Sequence, residues 1–388
     1  MLQNVCLAHS FYRDPGGEDV VFLAERDVLL SHGIAVQEFT QDNREFEHLT
    51  RWRQASRLLW NQPIRRGVRH TLRRTKAQLL HCHNIFPAIS PSIYAAAADV
   101  GVPVVQTLHN FRLLCANPAL FRDGKVCELC LPRPFGWPGI VHACYRGSHV
   151  ASAVLASMTG LHWLRGTWQE SVTTYIALTE FSRQKFIEGG LPGNRIVVKP
   201  NFVSDPGFVS DLGTYALFVG RLSPEKGLHT LLQAWKELGG KIPLQIAGDG
   251  PLSQVMTSLP ESVTWHGRVG REDVRKLMAG ARLLVFPSEC YENFPLVLIE
   301  AFAAGLPVIA SDHGAAVSIV AHGETGLRFR PGDWQDLVRR VTELWDNSTR
   351  LKDMRLAARR EYLQNYTPEV NFRLLVRIYE NAVNNTVT

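Results

Sequence analysis

The 388-residue chain has no run of the roughly 18–20 consecutive apolar residues that a membrane-spanning helix needs. No Gly-x-Gly-x-x-Gly follows its first apolar run, and no Gly-x-x-x-x-Gly-Lys-Ser/Thr occurs anywhere. The first absence lowers the case for a nicotinamide dehydrogenase, and the second removes the phosphate-loop nucleotidases. Asp-x-Asp is missing too, so no metal need bridge a bound diphosphate. Cysteine is sparse and odd in number, with seven in the chain, which argues against a disulfide framework. No basic segment precedes Val5-Cys6-Leu7-Ala8, which reads as a first strand and not a secretion signal. The expectation is a cytoplasmic protein.

Acidic residues are scarce in one half only. Residues 1–205 hold 22 Lys/Arg against 16 Asp/Glu, whereas 206–388 hold 20 of each, so the whole net charge of +6 lies in the first half. Between Arg51 and Lys76 there are nine Lys/Arg, no acid, and the two tryptophans Trp52 and Trp60. Interleaved basic and aromatic residues can meet an anionic membrane surface, although a solvated helix face gives the same pattern. No nucleic-acid motif accompanies them. The apolar stretch Val154–Leu164 reads as core, with a second membrane contact as the alternative.

What is present is a repeated alternation of strand and helix. In the first half strands are expected at Val5–His9, Ile34–Phe39, Gln78–His83, Val102–His109 and Thr173–Ala177, with a loop at 14–18 and a helix at Val20–Ser31. Segment 111–149 has no period and is rich in Pro, Gly and Cys. A seam falls at Lys199–Leu212. Beyond it come strands Tyr215–Val219, Leu244–Ala247, Val263–His266, Leu283–Phe286 and Leu306–Ala310, with helices Lys226–Leu238, Leu252–Ser258, Arg271–Ala279 and Leu296–Ala304. Such alternation predicts an α/β fold with two Rossmann-like parallel-sheet domains facing across a cleft. The expected domains are 1–205, carrying the Cys-rich insertion 111–149, and 206–367. A last helix, Pro368–Ala382 (368–383 with its final turn), could pack on either half, including back on the first.

Several strand ends carry phosphate and sugar chemistry. Gly220-Arg221-Leu222-Ser223-Pro224-Glu225-Lys226-Gly227 places two cations beside a helix start, where Arg forks onto phosphate oxygens and Lys adds a point charge. Glu292 and Glu300 flank another helix start, at Asn293-Phe294-Pro295-Leu296, where unpaired backbone N–H groups suit a phosphate. Carboxylates there would accept hydrogen bonds from hydroxyl pairs, as on a sugar attached to a nucleotide. Pro295 has no N–H, so phosphate contacts at this turn fall to Asn293, Phe294 or Leu296. Gly16 and Gly17 let backbone approach a ligand after the first strand. His109 ends a strand and could hydrogen-bond a sugar hydroxyl or the leaving group. Cys115, Cys127, Cys130 and Cys144 surround a Cys-x-x-Cys and could close a structural zinc site, against the plainer reading of four thiols in a loop.

Taken together, Gly-Arg-Leu-Ser-Pro-Glu-Lys-Gly at 220–227, Ala-Gly-Asp-Gly-Pro-Leu at 247–252, His-Gly-Arg-Val at 266–269, Pro-Ser-Glu-Cys-Tyr-Glu-Asn-Phe-Pro-Leu-Val-Leu-Ile-Glu-Ala at 287–301 and Gly-Glu-Thr-Gly-Leu at 323–327 resemble the family 4 retaining glycosyltransferases of GT-B fold. The resemblance implies that Arg221 and Lys226 neutralise a donor diphosphate, that Glu300 holds ribose hydroxyls and that Glu292 holds the donor sugar. It puts Arg268 and Val269 by the base, His109 by the transferred sugar, and Gly16 and Gly17 by phosphates or acceptor. Family glycines around the first glutamate are here Asn293 and Pro295, and Ser204 stands where the family usually has Asp. The implied activity is metal-independent, retaining transfer of a sugar from a nucleoside diphosphate sugar to a glycan or lipid-linked acceptor, as in cell-surface polysaccharide synthesis, with no catalytic cofactor. The protein would then be peripheral on the inner membrane face. Two alternatives stay open: a nucleotide-sugar epimerase or isomerase on the same scaffold, and a non-enzymatic membrane adaptor.

Overall fold

The computed structural model describes residues 2–384 apart from Pro15, Pro132 and Ser258. Pro15 in the expected loop 14–18 and Ser258 at the end of the expected helix 252–258 therefore lie outside the described residues. The chain divides into two compact units. The first runs to Leu120 and includes Cys127–Asn201 and the chain from Glu369 onward; the second comprises Phe121–Val126 and Phe202–Pro368.

In chain order the strands are β1 (Asn4–Phe11), β2 (Ala35–Asp42), β3 (Leu79–Cys82), β4 (Val104–Thr107), the short antiparallel hairpin β5 (Phe121–Arg122) and β6 (Lys125–Val126), then β7 (Thr174–Ala177) and β8 (Ile196–Val198). The first unit's sheet is wholly parallel, in the order β2-β1-β3-β4-β7-β8. Its inner strands β1, β3, β4 and β7 are almost wholly buried, as in sheets covered by helices on both faces, whereas the edge strand β2 (Ala35–Asp42) is polar and only partly buried. Val5, Leu7, Leu79, Val105 and Ile176 form one core with Phe22 and Leu29 of helix Gly17–Ser31. Leu375, Tyr379 and Ala382 of the last helix, Pro368–Asn384, complete that same core.

The second unit continues with β9 (Tyr215–Val219), β10 (Leu244–Ala247), β11 (Val263–Trp265), β12 (Ala281–Phe286), β13 (Val308–Ser311) and β14 (Gly326–Phe329). Its sheet is also parallel, ordered β11-β10-β9-β12-β13-β14. Two apolar clusters sandwich it, one built on Trp235, Leu244 and Leu337, the other on Phe302, Ala310 and Tyr362.

In an open sheet of this kind, ligands bind beyond the carboxyl ends of the strands where the strand order reverses. That point lies between β9 and β12 in the second unit, and between β1 and β3 in the first.

Two expected helices differ from the structure. The one expected at Lys226–Leu238 is a 3₁₀ turn, Pro224–Lys226, followed by a helix over Leu228–Glu237. Gly227 breaks it, because its φ of 69° lies outside helical space. The segment after β10 forms a 3₁₀ turn over Ser253–Thr257 rather than an α-helix. Val154–Leu164 belongs to helix His149–Leu164, whose Leu155, Met158 and Trp163 are buried, so that stretch is mostly core.

Candidate active site

At the β9/β12 switch point, backbone meets backbone. A Cβ on Gly227 would stand 1.9 Å from the carbonyl oxygen of Pro287, and one on Gly248 would stand 1.8 Å from that of Gly220. Only glycine permits either approach. The loops after β9, β10 and β12 are thereby locked together, and Glu289 N–H donates to Glu225 O across them at 2.8 Å. The lock brings Lys226, from the turn after β9, onto Glu292, from the loop after β12, as an ion pair. Ser288 Oγ donates to the same carboxylate at 2.9 Å, and His313 Nε2 donates to Ser288 O at 2.8 Å, fixing that loop from behind.

Burial alone would lower the Lys226 ammonium's pKa. The Glu292 carboxylate, then Cys290 and Glu225, outweigh it and hold it above its ordinary value. Both side chains remain reachable, at 26% and 17% exposed. Pro295 caps helix Leu296–Ala303, and Leu298 N–H bonds back to Pro295 O at 3.1 Å. In such a first turn the N–H groups of Leu296 and Val297 have no intrahelical acceptor and are free for an anion. Asn293 and Pro295 are buried beneath that turn, and Phe294 packs partly into the apolar cluster. Glu300, on the next turn of this helix, is half-buried; burial raises its pKa, with Arg271 and Arg275 pulling the other way.

The Arg221 side chain is exposed and makes no ion pair among the described residues. Arg268 is exposed and Val269 half-buried, on the loop after β11.

A second constellation occupies the β1/β3 switch point of the first unit. Gly16 is the N-cap of helix Gly17–Ser31, with its N–H on Asp19 Oδ2 at 2.8 Å. Its backbone is extended, so this turn does not depend on a left-handed glycine. Glu18 accepts from Asn110 Nδ2 at 2.6 Å and from the Tyr12 hydroxyl at 2.9 Å. Beside them is a small, partly open pocket whose wall includes Glu18, His83, Gln106, His109, Asn110 and Arg112. The Arg112 guanidinium lies over the Phe86 ring at 4.2 Å. His109 Nε2 and His83 Nδ1 are hydrogen-bonded at 3.0 Å. Burial, then electrostatic repulsion from His9 and Lys199, lower the His109 pKa to about 3, so its imidazole is neutral at physiological pH.

The sequence reading had singled out His109 and the two glycines of this group. It missed Glu18, His83, Asn110 and Arg112. The available signals were Gly16-Gly17-Glu18, at the start of the first helix, and His81-x-His83, straddling the end of β3.

These features can be compared with known proteins. The sequence pattern described as glycosyl transferases group 1 matches residues 209–361, and the glycosyl transferase 4-like domain matches 15–201. A phosphatidyl-myo-inositol mannosyltransferase of Mycobacterium leprae is 30% identical over 259 residues, covering 63% of this chain and 68% of that protein. The chain belongs to the group 1 glycosyl transferases.

A 2-deoxystreptamine N-acetyl-D-glucosaminyltransferase of Niallia circulans is 30% identical over 174 residues, 42% of this chain. The matched stretch spans 44% of that relative's own length. In structure, this glycosyl transferase is similar to an Anabaena protein solved in complex with UDP and glucose, at a TM-score of 0.68 with 18% identity. That similarity covers 98% of this chain and 100% of the other. The fold is GT-B.

The glycosyl transferase's Cys-rich segment places Cys115 and Cys130 together and buried. The hydrogen bond between their thiols, and then burial, raise the Cys115 pKa well above its ordinary value. Cys127 and Cys144 are half-buried, and no cysteine is in a disulfide. Among the described residues no three cysteine sulfurs lie within 4.8 Å of one another. The basic stretch forms two helices, Arg51–Leu59 and Gln62–Thr75, with Leu58, Ile64, Val68 and Leu72 buried. Trp52 is 88% exposed and Leu164, on helix His149–Leu164, is 86% exposed. Among the described residues no helix is long and apolar enough to cross a membrane.

Proposed function

We propose that this chain takes a sugar from a nucleoside diphosphate sugar bound by its second unit. It passes that sugar, with retained anomeric configuration, to a hydroxyl of a glycan or lipid-linked acceptor held by the first. The observation that carries this reading is the Lys226–Glu292 ion pair at the β9/β12 switch point, with Glu292 four residues before the start of helix Leu296–Ala303.

Cleaving a sugar–phosphate bond builds negative charge on the departing diphosphate. Lys226, Arg221 and the N–H groups of Leu296 and Val297 stabilise it there, and a preorganised donor of this kind is worth about 3–4 kcal/mol. Glu292 takes hydroxyls of the donor sugar, Glu300 those of the ribose, and the loop bearing Arg268 and Val269 meets the base. No carboxylate is assigned as a covalent nucleophile. Attack comes on the face the phosphate leaves, and the departing phosphate oxygen receives the acceptor's proton. The charges needed on the leaving group come from side chains and backbone, so no metal is required.

The relatives' names support the substrate classes: one acts on phosphatidyl-myo-inositol, another transfers N-acetylglucosamine, and the Anabaena protein was solved with UDP. The Arg51–Lys76 helices, with exposed Trp52, are the surface assigned to an anionic membrane at the inner face, where a lipid-linked acceptor would be met. Zinc on Cys115, Cys127, Cys130 and Cys144 would be structural, and binding it would require the four sulfurs to draw closer together than they stand here.

The test is product analysis with a panel of nucleoside diphosphate sugars and acceptors. The expected result is release of the nucleoside diphosphate and a product whose anomeric coupling matches the donor's. An inverted product, or a kinetically competent glycosyl-enzyme adduct, would sink the mechanism. Epimerised donor without transfer would favour the isomerase.

A further inference from the structure

Glu25 and Lys199 form an ion pair at 2.6 Å deep in the first unit, each with a fully buried side chain. Removing two charges from water costs several kcal/mol per ion, and an apolar pair of similar volume often serves stability as well or better. Stability therefore does not account for this pair. Glu25, His81 and His83 offer ligand atoms within 4.8 Å of one another, a spacing that would suit a cation. The Lys199 ammonium already satisfies the carboxylate, however, and a second cation would sit against it. His81 is committed too, with Nδ1 on the Tyr379 hydroxyl at 2.7 Å and Nε2 on Thr107 Oγ1 at 2.8 Å.

The pair's other carboxylate oxygen faces a different group. Glu25 Oε2 lies 3.5 Å from His83 Nε2. A carboxylate at that range repels a nitrogen lone pair and attracts an N–H, so the His83 proton resides on Nε2. Neutral His83 then presents Nδ1 as an acceptor. Its partner there is His109 Nε2, at 3.0 Å, which must be the donor. His109 keeps no second proton, so its Nδ1, which makes no hydrogen bond among the described residues, is left as an acceptor on a residue that lines the pocket. Burial lowers the pKa of His83 well below its ordinary value, so neither ring carries an extra proton near neutrality.

We propose that the Glu25–Lys199 ion pair positions His109 through His83, holding it as the Nε2–H tautomer so that His109 Nδ1 accepts a hydrogen bond from a substrate sugar hydroxyl. Glu25, Lys199 and His83 are positioning residues in this scheme. The role given to Nδ1 rests on the transferase reading; the tautomer does not.

The experiment uses full-length protein with ¹⁵N-histidine, where ¹⁵N–¹H correlations distinguish the two neutral tautomers. The His109 signals are assigned from their loss in His109→Asn. The wild type is expected to show His109 as Nε2–H with a bare Nδ1. Glu25→Gln combined with Lys199→Met, near-isosteric and uncharged, is expected to give mixed tautomers and to lower kcat at least tenfold. Affinity for the donor, measured with the nucleoside diphosphate, should change less than twofold. Glu25→Asp, which keeps the charges and withdraws the carboxylate, should move the His109 signals the same way if the double variant does not fold. His109 as Nδ1–H in the wild type, or unaltered signals and kcat in the variants, overturns the proposal. A wild type with no transfer activity but the expected tautomer would count against the transferase reading alone.

Discussion

Lys226 and Glu292, 66 residues apart in sequence, are ion-paired at the point where the second sheet's strand order reverses. Under the proposed function, the cation assigned to the diphosphate is here paired with the carboxylate assigned to the sugar. On that proposal, donor binding would divide this pair, giving Lys226 to phosphate and Glu292 to hydroxyls.

Lys226→Ala should therefore cost turnover more than folding. Loss of one preorganised donor to the leaving group is expected to lower kcat/KM by about 10²–10³. Steady-state kinetics over a donor series would show it, and a change below threefold would remove Lys226 from the reaction. Glu292→Gln should lower kcat/KM as well, through weaker hold on the sugar hydroxyls.

Gly227→Ala is expected to destabilise the second unit by about 3 kcal/mol or more, because no rotamer removes a Cβ lying 1.9 Å from the Pro287 carbonyl and the residue must also keep a φ of 69°. Urea unfolding followed by tryptophan fluorescence would measure it. A near-neutral result would mean that the loops after β9 and β12 separate readily.

Acid should destabilise the fold. His81, His83 and His109 all have depressed pKa values, with burial as the first cause. Below an unfolded-state pKa of about 6.5 the unfolded chain binds protons that these folded imidazoles refuse, so stability falls as pH drops from there. For His109 the loss should level off near its folded value of about 3. Denaturant midpoints at pH 7 and pH 5 check the sign. In His109→Asn the difference between the two should shrink.

The zinc assignment predicts about one zinc per chain in purified wild type and less in Cys127→Ser, since a tetrahedral sulfur site needs all four thiolates. Mass spectrometry of the native protein decides it. No zinc above background in the wild type would leave the buried Cys115–Cys130 contact as two hydrogen-bonded thiols.

Much of the second unit was legible because its signals are local. Tyr215–Val219 and Leu244–Ala247 are apolar runs closed by glycine, and they form strands over those same residues. Lys226 and Glu292 were legible through the motifs that carry them. The helix break at Gly227 was not, because the apolar period runs on through a residue whose conformation is set by contact with distant Pro287. The first unit hid more. His83 and His109 lie 26 residues apart and meet because β3 pairs with β4 in parallel, a relation that no local pattern encodes. Lys199 stood at the edge of an expected seam, where a lysine ordinarily faces water. Its burial against Glu25 follows from tertiary packing.

The most direct test of the central claim is calorimetric titration of the wild type, Lys226→Ala and Glu300→Ala with a panel of nucleoside diphosphates and their sugars. Saturable binding of at least one ligand to the wild type is expected, weakened tenfold or more in both variants. If nothing binds, or if both variants bind as tightly as the wild type, the β9/β12 switch point is not the donor site.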